Sequence, residues 1–160
     1  MNRKDFLKSA TILAGAATIT PFASASVLQS KPTKKVTLKK SLGLGMIKEE
    51  LSLTDKFKLV KDLGFDGVEL NSPIDFKMSE VLDAKSKSGI ELPTVVNKDH
   101  WSSPLSDPDP AVRKKCIDSV AQSLREVKEM GGDTVLVVPG VVNEKVSYEQ
   151  AYITSQNAIR

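Results

Sequence analysis

From residue 40 onward, short apolar runs alternate with longer stretches in which apolar residues recur every three or four positions. This alternation predicts parallel β-strands joined by crossover helices, because a strand buried on both faces is apolar throughout and a surface helix is apolar on one side. Four such strand and helix units can be counted. The predicted strands cover residues 40–47, 67–70, 90–96 and 134–139. The predicted helices follow them at 53–63, 76–88, 110–130 and 147–160.

Helix boundaries are marked by capping residues. Ser52 or Thr54 is placed to cap the first helix, and Asp109 followed by Pro110 marks the start of the third, which is the longest. Glycines follow the ends of the first three helices. The third helix carries an apolar stripe that we expect to be buried, made of Val112, Cys116, Ile117, Val120, Leu124, Val127 and Met130.

Four units are about half of an eight-stranded (β/α)8 TIM barrel, which needs about 250 residues. We therefore expect an α/β chain that forms the first half of such a barrel over residues 40–160. Because four parallel strands alone leave two edges unpaired, we expect either a fragment of a longer protein or a half barrel that pairs with another chain. A doubly wound sheet is the alternative, but the segment around Gly43 and Gly45 lacks the glycine-rich phosphate loop of that fold.

The N-terminus has the pattern of an export signal. Residues 1–25 combine a basic start, an uncharged apolar run and small residues at Ala23 and Ala25, where signal peptidase cleaves. The start resembles a twin-arginine signal with Lys4 in place of the second arginine, so the export pathway stays open. The run is too short and too weakly apolar for a stable membrane anchor. We expect an exported, periplasmic protein with a linker at 26–39.

Charge separates these regions. The whole chain has a net charge of +3, but most of the excess cations lie before residue 41. Residues 41–160 hold 15 basic and 19 acidic side chains, a net charge of −4. A nucleic-acid surface needs clustered Lys and Arg on the folded domain, so no nucleic-acid partner is expected. With one cysteine and one histidine, the chain also lacks the ligands of a structural zinc site.

Three segments carry a family resemblance. Residues 63–73 (LGFDGVELNSP), 104–113 (PLSDPDPAVR) and 130–140 (MGGDTVLVVPG) follow one another in the order found in the sugar phosphate isomerase/epimerase family. The chain resembles the N-terminal half of that family, whose members have a xylose-isomerase-like TIM barrel. Ketose 3-epimerases, hydroxypyruvate isomerases and endonuclease IV share this barrel.

The resemblance implies a function for the complete protein. That function is isomerisation or epimerisation of a ketose or related small sugar by metal-assisted proton transfer. It also implies a divalent ion (Mn, Mg, Co or Zn) whose ligands belong to later strands, beyond residue 160. We therefore expect no catalytic residue and no metal ligand within this chain, and no activity from the chain alone. Two alternatives are a sugar-binding barrel without turnover and, less favoured, an endonuclease IV-like repair nuclease. Oligomerisation is compatible with all of them.

Residues that line the substrate site are expected at the carboxyl ends of the strands, which form the active face of such a barrel. Glu69 and Asn71 come from the second strand, and His100 and Trp101 follow the third. A carboxylate or an imidazole can hydrogen-bond a sugar hydroxyl, and an indole can stack on a sugar ring. Asn97 and Met46 are weaker candidates for the same face. Asp107 and Asp109 are expected to shape the turn and cap the helix.

Overall fold

The structure, a computed structural model, describes residues 37–160. Four parallel strands form one sheet in the order β1-β2-β3-β4, and a helix follows each strand. The strands are β1 (Ser41–Gly43), β2 (Gly67–Ser72), β3 (Thr94–Asn97) and β4 (Thr134–Leu136). The helices are α1 (Leu53–Asp62), α2 (Met78–Ser88), α3 (Pro110–Glu129) and α4 (Tyr148–Ile159), with a 3₁₀ turn at Leu44–Met46. The four predicted βα units are confirmed.

The predicted N-terminal regions are only partly covered by this description. The export signal at residues 1–25 lies outside the described residues, and so does most of the linker at 26–39. Within residues 37–160, no helix combines the length and the apolar character that crossing a membrane requires.

Helix starts agree with the predicted capping residues. The Ser52 hydroxyl accepts a hydrogen bond from the Asp55 N–H at 3.2 Å, and Asp109 accepts one from the Ala111 N–H at 2.8 Å. Ser147 and Gln150 form a reciprocal capping box at the start of α4. Each of these side chains satisfies a backbone N–H that the first turn of a helix leaves without a partner.

Three of the four strands are shorter than predicted, whereas β2 continues two residues further, to Ser72. The chain leaves β1 after Gly43 in the 3₁₀ turn, and β4 ends at Leu136 rather than at residue 139. β3 begins at Thr94 rather than at residue 90, because Pro93 has no N–H to donate to a neighbouring strand. Ahead of it, Glu91 makes one isolated bridge to Gly67.

The core lies between the helices and one face of the sheet. Phe57 and Val60 of α1 and Val81 of α2 are fully buried, and they belong to one apolar cluster with Val68 and Val95 from the strands. The face of the sheet that carries Val68 and Val95 is therefore the helix-covered face. The opposite face is the one left for a ligand.

The predicted buried stripe of α3 is partly wrong. Cys116, Val127 and Met130 are buried as expected, but Ile117 is 40% exposed and Leu124 is 56% exposed. Both of these residues line an open apolar groove of about 360 Å³ beside α4. The buried side of α3 instead carries the polar residues Ser119, Ser123 and Glu126. Their hydrogen bonds to the strands, described below, explain why they lie inside.

Candidate functional site

Glu69 and Asn71 lie on the open face of the sheet. In β2 the side chains alternate, and Val68, Leu70 and Ser72 are buried against the helices. Glu69 and Asn71 therefore point to the other face, which becomes the interior of a closed barrel. Glu69 is half-buried and Asn71 is exposed. No lysine or arginine pairs with the Glu69 carboxylate within residues 37–160.

The residues beside this pair are defined by the strand register. Gly43 of β1 lies opposite Glu69, and Val96 of β3 lies opposite Asn71. Leu136 of β4 lies opposite Val96 and is 45% exposed. We call these five residues the inner wall. It joins one carboxylate and one amide to an apolar surface, which suits a ligand with both hydroxyl groups and C–H faces.

His100 and Trp101 contact each other in the loop after β3. Their rings meet edge to face with centroids 5.2 Å apart. His100 is only 3% exposed, and its Nδ1 atom has no hydrogen-bond partner within the described residues, whereas Trp101 is 66% exposed. The Lys98 N–H donates to the Ser72 carbonyl at 2.7 Å and ties this loop to the end of β2. Both candidate pairs therefore belong to the same end of the sheet.

Burial lowers the pKa of His100 from its ordinary value of 6.5. Because the pKa of His100 is lower in the folded chain, the unfolded chain binds more protons at pH values near 6.5. The free energy of unfolding should therefore fall as the pH drops from about 7.5 through 6.5, and it should level off below the pKa of the folded chain. Urea unfolding from about pH 7.5 to about pH 5 measures this loss. In His100→Gln the loss should be smaller. An equal loss in both proteins would mean that His100 titrates in the fold as it does in solvent.

A network of buried polar side chains supports the ends of β2 and β3 from the helix side. The Ser72 hydroxyl donates to Glu126 at 2.5 Å, and the same carboxylate accepts the Ile74 N–H at 3.2 Å. The Asn97 amide donates to Ser119 at 2.8 Å and to Ser123 at 3.1 Å. Ser72 and Ser123 are in contact, and Ser119 donates to Asp99. We call these residues the polar network: Ser72, Asn97, Asp99, Ser119, Ser123 and Glu126.

One residue expected in the substrate site belongs to the polar network instead. Asn97 is fully buried, and its side chain bonds to α3 rather than facing the open side of the sheet, so its expected place in the site is wrong. Met46 is 68% exposed in the 3₁₀ turn. The roles expected for Asp107 and Asp109 are confirmed, since Asp107 accepts the Asp109 N–H at 2.8 Å and Asp109 caps α3.

Two groups near this end of the sheet were not anticipated. One is Glu126, the centre of the polar network, whose buried position follows from the Ser119 and Ser123 spacing on the same side of α3. The other is Lys56 of α1, which lines a small cleft together with Asn71. In the sequence, the only feature that distinguishes Lys56 is that it directly precedes Phe57, which is buried.

The described side chains do not form a metal centre by themselves. Within residues 37–160, no three or more His, Cys, Asp or Glu side chains are grouped to hold a metal ion. Glu69 is the one carboxylate carried by β1–β4. The donor set on the inner wall therefore does not fit the divalent ion that the family resemblance implies.

Two solved structures of sugar epimerases share this fold. The first is apo 3-keto-D-glucoside 4-epimerase from E. coli, with a TM-score of 0.66 and 19% sequence identity over 78% of this chain and 50% of that one. The second is D-psicose 3-epimerase in the presence of D-fructose, with a TM-score of 0.60 and 19% identity over 76% of this chain and 46% of that one. The chain thus spans about half the length of either structure.

Sequence comparison agrees with the structural comparison. No curated protein sequence matches the chain. A family model described as the xylose isomerase-like TIM barrel matches residues 57–160, which is more than half of the chain. The matched residues include β2, β3 and β4 and the helices that follow them. The chain belongs to the xylose isomerase-like TIM barrel family.

Proposed function

We propose that this chain forms half of the barrel of a sugar isomerase or epimerase that acts on a ketose or a related small sugar. The observation that carries the proposal is the position of Glu69 and Asn71 on the inner wall, at the active end of the strands. Family membership and the likeness to two sugar epimerases support it. Below, the complete protein means this chain together with the half barrel that closes it.

In this proposal the described residues bind and orient the sugar. The Glu69 carboxylate accepts hydrogen bonds from substrate hydroxyls, and the Asn71 amide both donates and accepts. The exposed Trp101 indole covers an apolar face of the sugar, while the buried His100 supports Trp101 through the edge-to-face contact of the two rings. A hydrogen bond to a charged group is worth about 1.5–3 kcal/mol, so Glu69 contributes most to orientation.

Proton transfer next to the carbonyl is assigned to residues outside 37–160. The described donors do not fit a divalent ion. In this proposal the ion and its ligands therefore belong to the half of the barrel that closes this one. The chain is further proposed to be exported to the periplasm, which the sequence of residues 1–25 supports.

The test follows hydrogen exchange in the sugar. The complete protein is incubated in D2O with D-fructose and with D-psicose in the presence of Mn²⁺ or Mg²⁺, and NMR detects deuterium at the carbon next to the carbonyl. Glu69→Gln should lower kcat/KM by about 10-fold or more, because a charged acceptor is lost. The control is Glu91→Gln, an exposed carboxylate at the opposite end of the sheet, with an expected effect below about 2-fold.

Other outcomes separate the alternatives. A ketose that binds but never exchanges hydrogen would indicate a sugar-binding barrel without turnover. If neither ketose binds nor exchanges, the proposed sugar chemistry is wrong. If Glu69→Gln and Glu91→Gln behave alike while exchange persists, the reaction stands and the role of Glu69 does not.

A further inference from the structure

A cleft of about 230 Å³ opens at the active end of the sheet, between the segment after β1 and the loop after β2. Gly45 and Ile47 line one side, and Asn71, Asp75 and Phe76 line the other. Pockets that enclose a whole small ligand measure about 300–1,000 Å³. The cleft is therefore sized for a substituent of the sugar rather than for the whole sugar.

Lys56 of α1 supplies a cation to this cleft. Among residues 37–160, only Lys56 and Lys85 are half-buried lysines, and all others are exposed. Lys85 donates to the Met130 carbonyl at 2.7 Å and lies 3.8 Å from Glu91. No carboxylate within residues 37–160 forms an ion pair with Lys56. The Lys56 ammonium is thus available to bind an anion that enters the cleft.

The surroundings of Lys56 also favour a negative ligand. Lys56 lies near the N-terminus of α1, where the helix dipole disfavours a cation and favours an anion. Asp75, the one carboxylate that lines the cleft, is engaged by Lys98 at 2.6 Å. The lining thus holds one cation and one carboxylate, and because Asp75 is paired with Lys98, Lys56 is left without a counter-charge in the cleft.

We propose that this cleft is an anion subsite in which Lys56 binds a phosphate or carboxylate group carried by the sugar substrate. The inference rests on the proposed function and adds to it the charge of the substrate. Asn71 connects the two regions, because it lines the cleft and also belongs to the inner wall. Glu69 is two residues away on the same face, about 6.6 Å along the strand. A sugar anchored by its anionic end thus extends over Asn71 to Glu69.

The test compares neutral and anionic sugars in the complete protein. Calorimetry measures Kd for D-fructose, D-fructose 6-phosphate, D-fructuronate and inorganic phosphate in the wild type and in Lys56→Met. The anionic sugar that fits the subsite should lose about 10-fold or more in affinity in Lys56→Met, while D-fructose changes little. Lys58→Met, an exposed lysine of the same helix, is the control and should change neither. Thermal unfolding of both variants checks that the fold is kept.

Each result has a distinct meaning. A selective loss with D-fructose 6-phosphate and inorganic phosphate identifies a phosphate ester, and a selective loss with D-fructuronate identifies a sugar acid. Equal affinities for neutral and anionic sugars, or equal effects of Lys56→Met and Lys58→Met, overturn the subsite even when epimerisation is observed. Hydrogen exchange without charge discrimination thus contradicts this inference alone, whereas failure of every sugar to bind contradicts the proposed function.

Discussion

Replacing Gly132 by alanine is expected to destabilise the protein by about 2–3 kcal/mol. A Cβ atom at this position would lie 2.7 Å from the Pro93 carbonyl oxygen and 2.8 Å from Cγ2 of Val127, and it would also overlap the Leu92 carbonyl oxygen. Two of these neighbours are backbone atoms that connect β3 to the start of β4. The Pro93 carbonyl cannot move without weakening a hydrogen bond, since it accepts the Asp133 N–H at 3.1 Å.

Urea unfolding of the complete protein measures this loss. Gly43→Ala is the matched control, because a Cβ there meets only the Met46 side chain at an ordinary distance of 3.9 Å. Its free energy of unfolding should change by less than about 0.5 kcal/mol. Equal unfolding midpoints for the two variants would show that the backbone around Gly132 adjusts freely.

Glu126→Ala is expected to lower the free energy of unfolding by about 3 kcal/mol. The substitution removes the acceptor of both the Ser72 hydroxyl and the Ile74 N–H, and it leaves a void behind the loop after β2. Glu126→Gln keeps the shape and one acceptor oxygen, so it should recover much of the loss. The exposed Glu129 of the same helix provides the control Glu129→Ala, whose expected effect is below about 0.5 kcal/mol. Similar losses in Glu126→Ala and Glu129→Ala would rule out a stabilising polar network.

Much of the fold could be predicted because its signals are local. Ser52, Asp109 and Ser147 cap helices through hydrogen bonds that span only two or three residues. The glycines at the helix ends are equally local, and Gly89 and Gly131 have φ values of +65° and +77°. Such positions depend on few distant contacts, so the residue types are sufficient to identify them.

The face of α3 could not be predicted from hydrophobicity alone. Ile117 and Leu124 fall on an apolar stripe, but the strands present Ser72 and Asn97, which need polar partners. A buried polar group costs free energy unless it is hydrogen-bonded, so Ser119, Ser123 and Glu126 turn inward instead. This pairing joins residues far apart in the chain, and the sequence of one helix does not reveal it.

The part of the candidate site that lies on a strand could be predicted, because side chains along a strand alternate between its two faces. The two-residue alternation of β2 places Glu69 and Asn71 on the same face. The alternation does not extend into loops, so it did not predict that His100 is buried while Trp101 is exposed. Lys56 was missed for a similar reason, because its importance lies in a cleft made by separate segments rather than in its own sequence context.

The polar network also determines where along its axis α3 can rest on the sheet. An apolar helix face tolerates a shift of one turn, since one aliphatic contact replaces another. Such a shift would place Gln122 or Met130 where Glu126 accepts the Ile74 N–H, and it would leave a buried carboxylate or amide without its partner. A shift of α3 along the sheet therefore costs far more free energy than the same shift of a helix held by apolar contacts alone. The same few hydrogen bonds that support the active end of the sheet select one docked position of its longest helix.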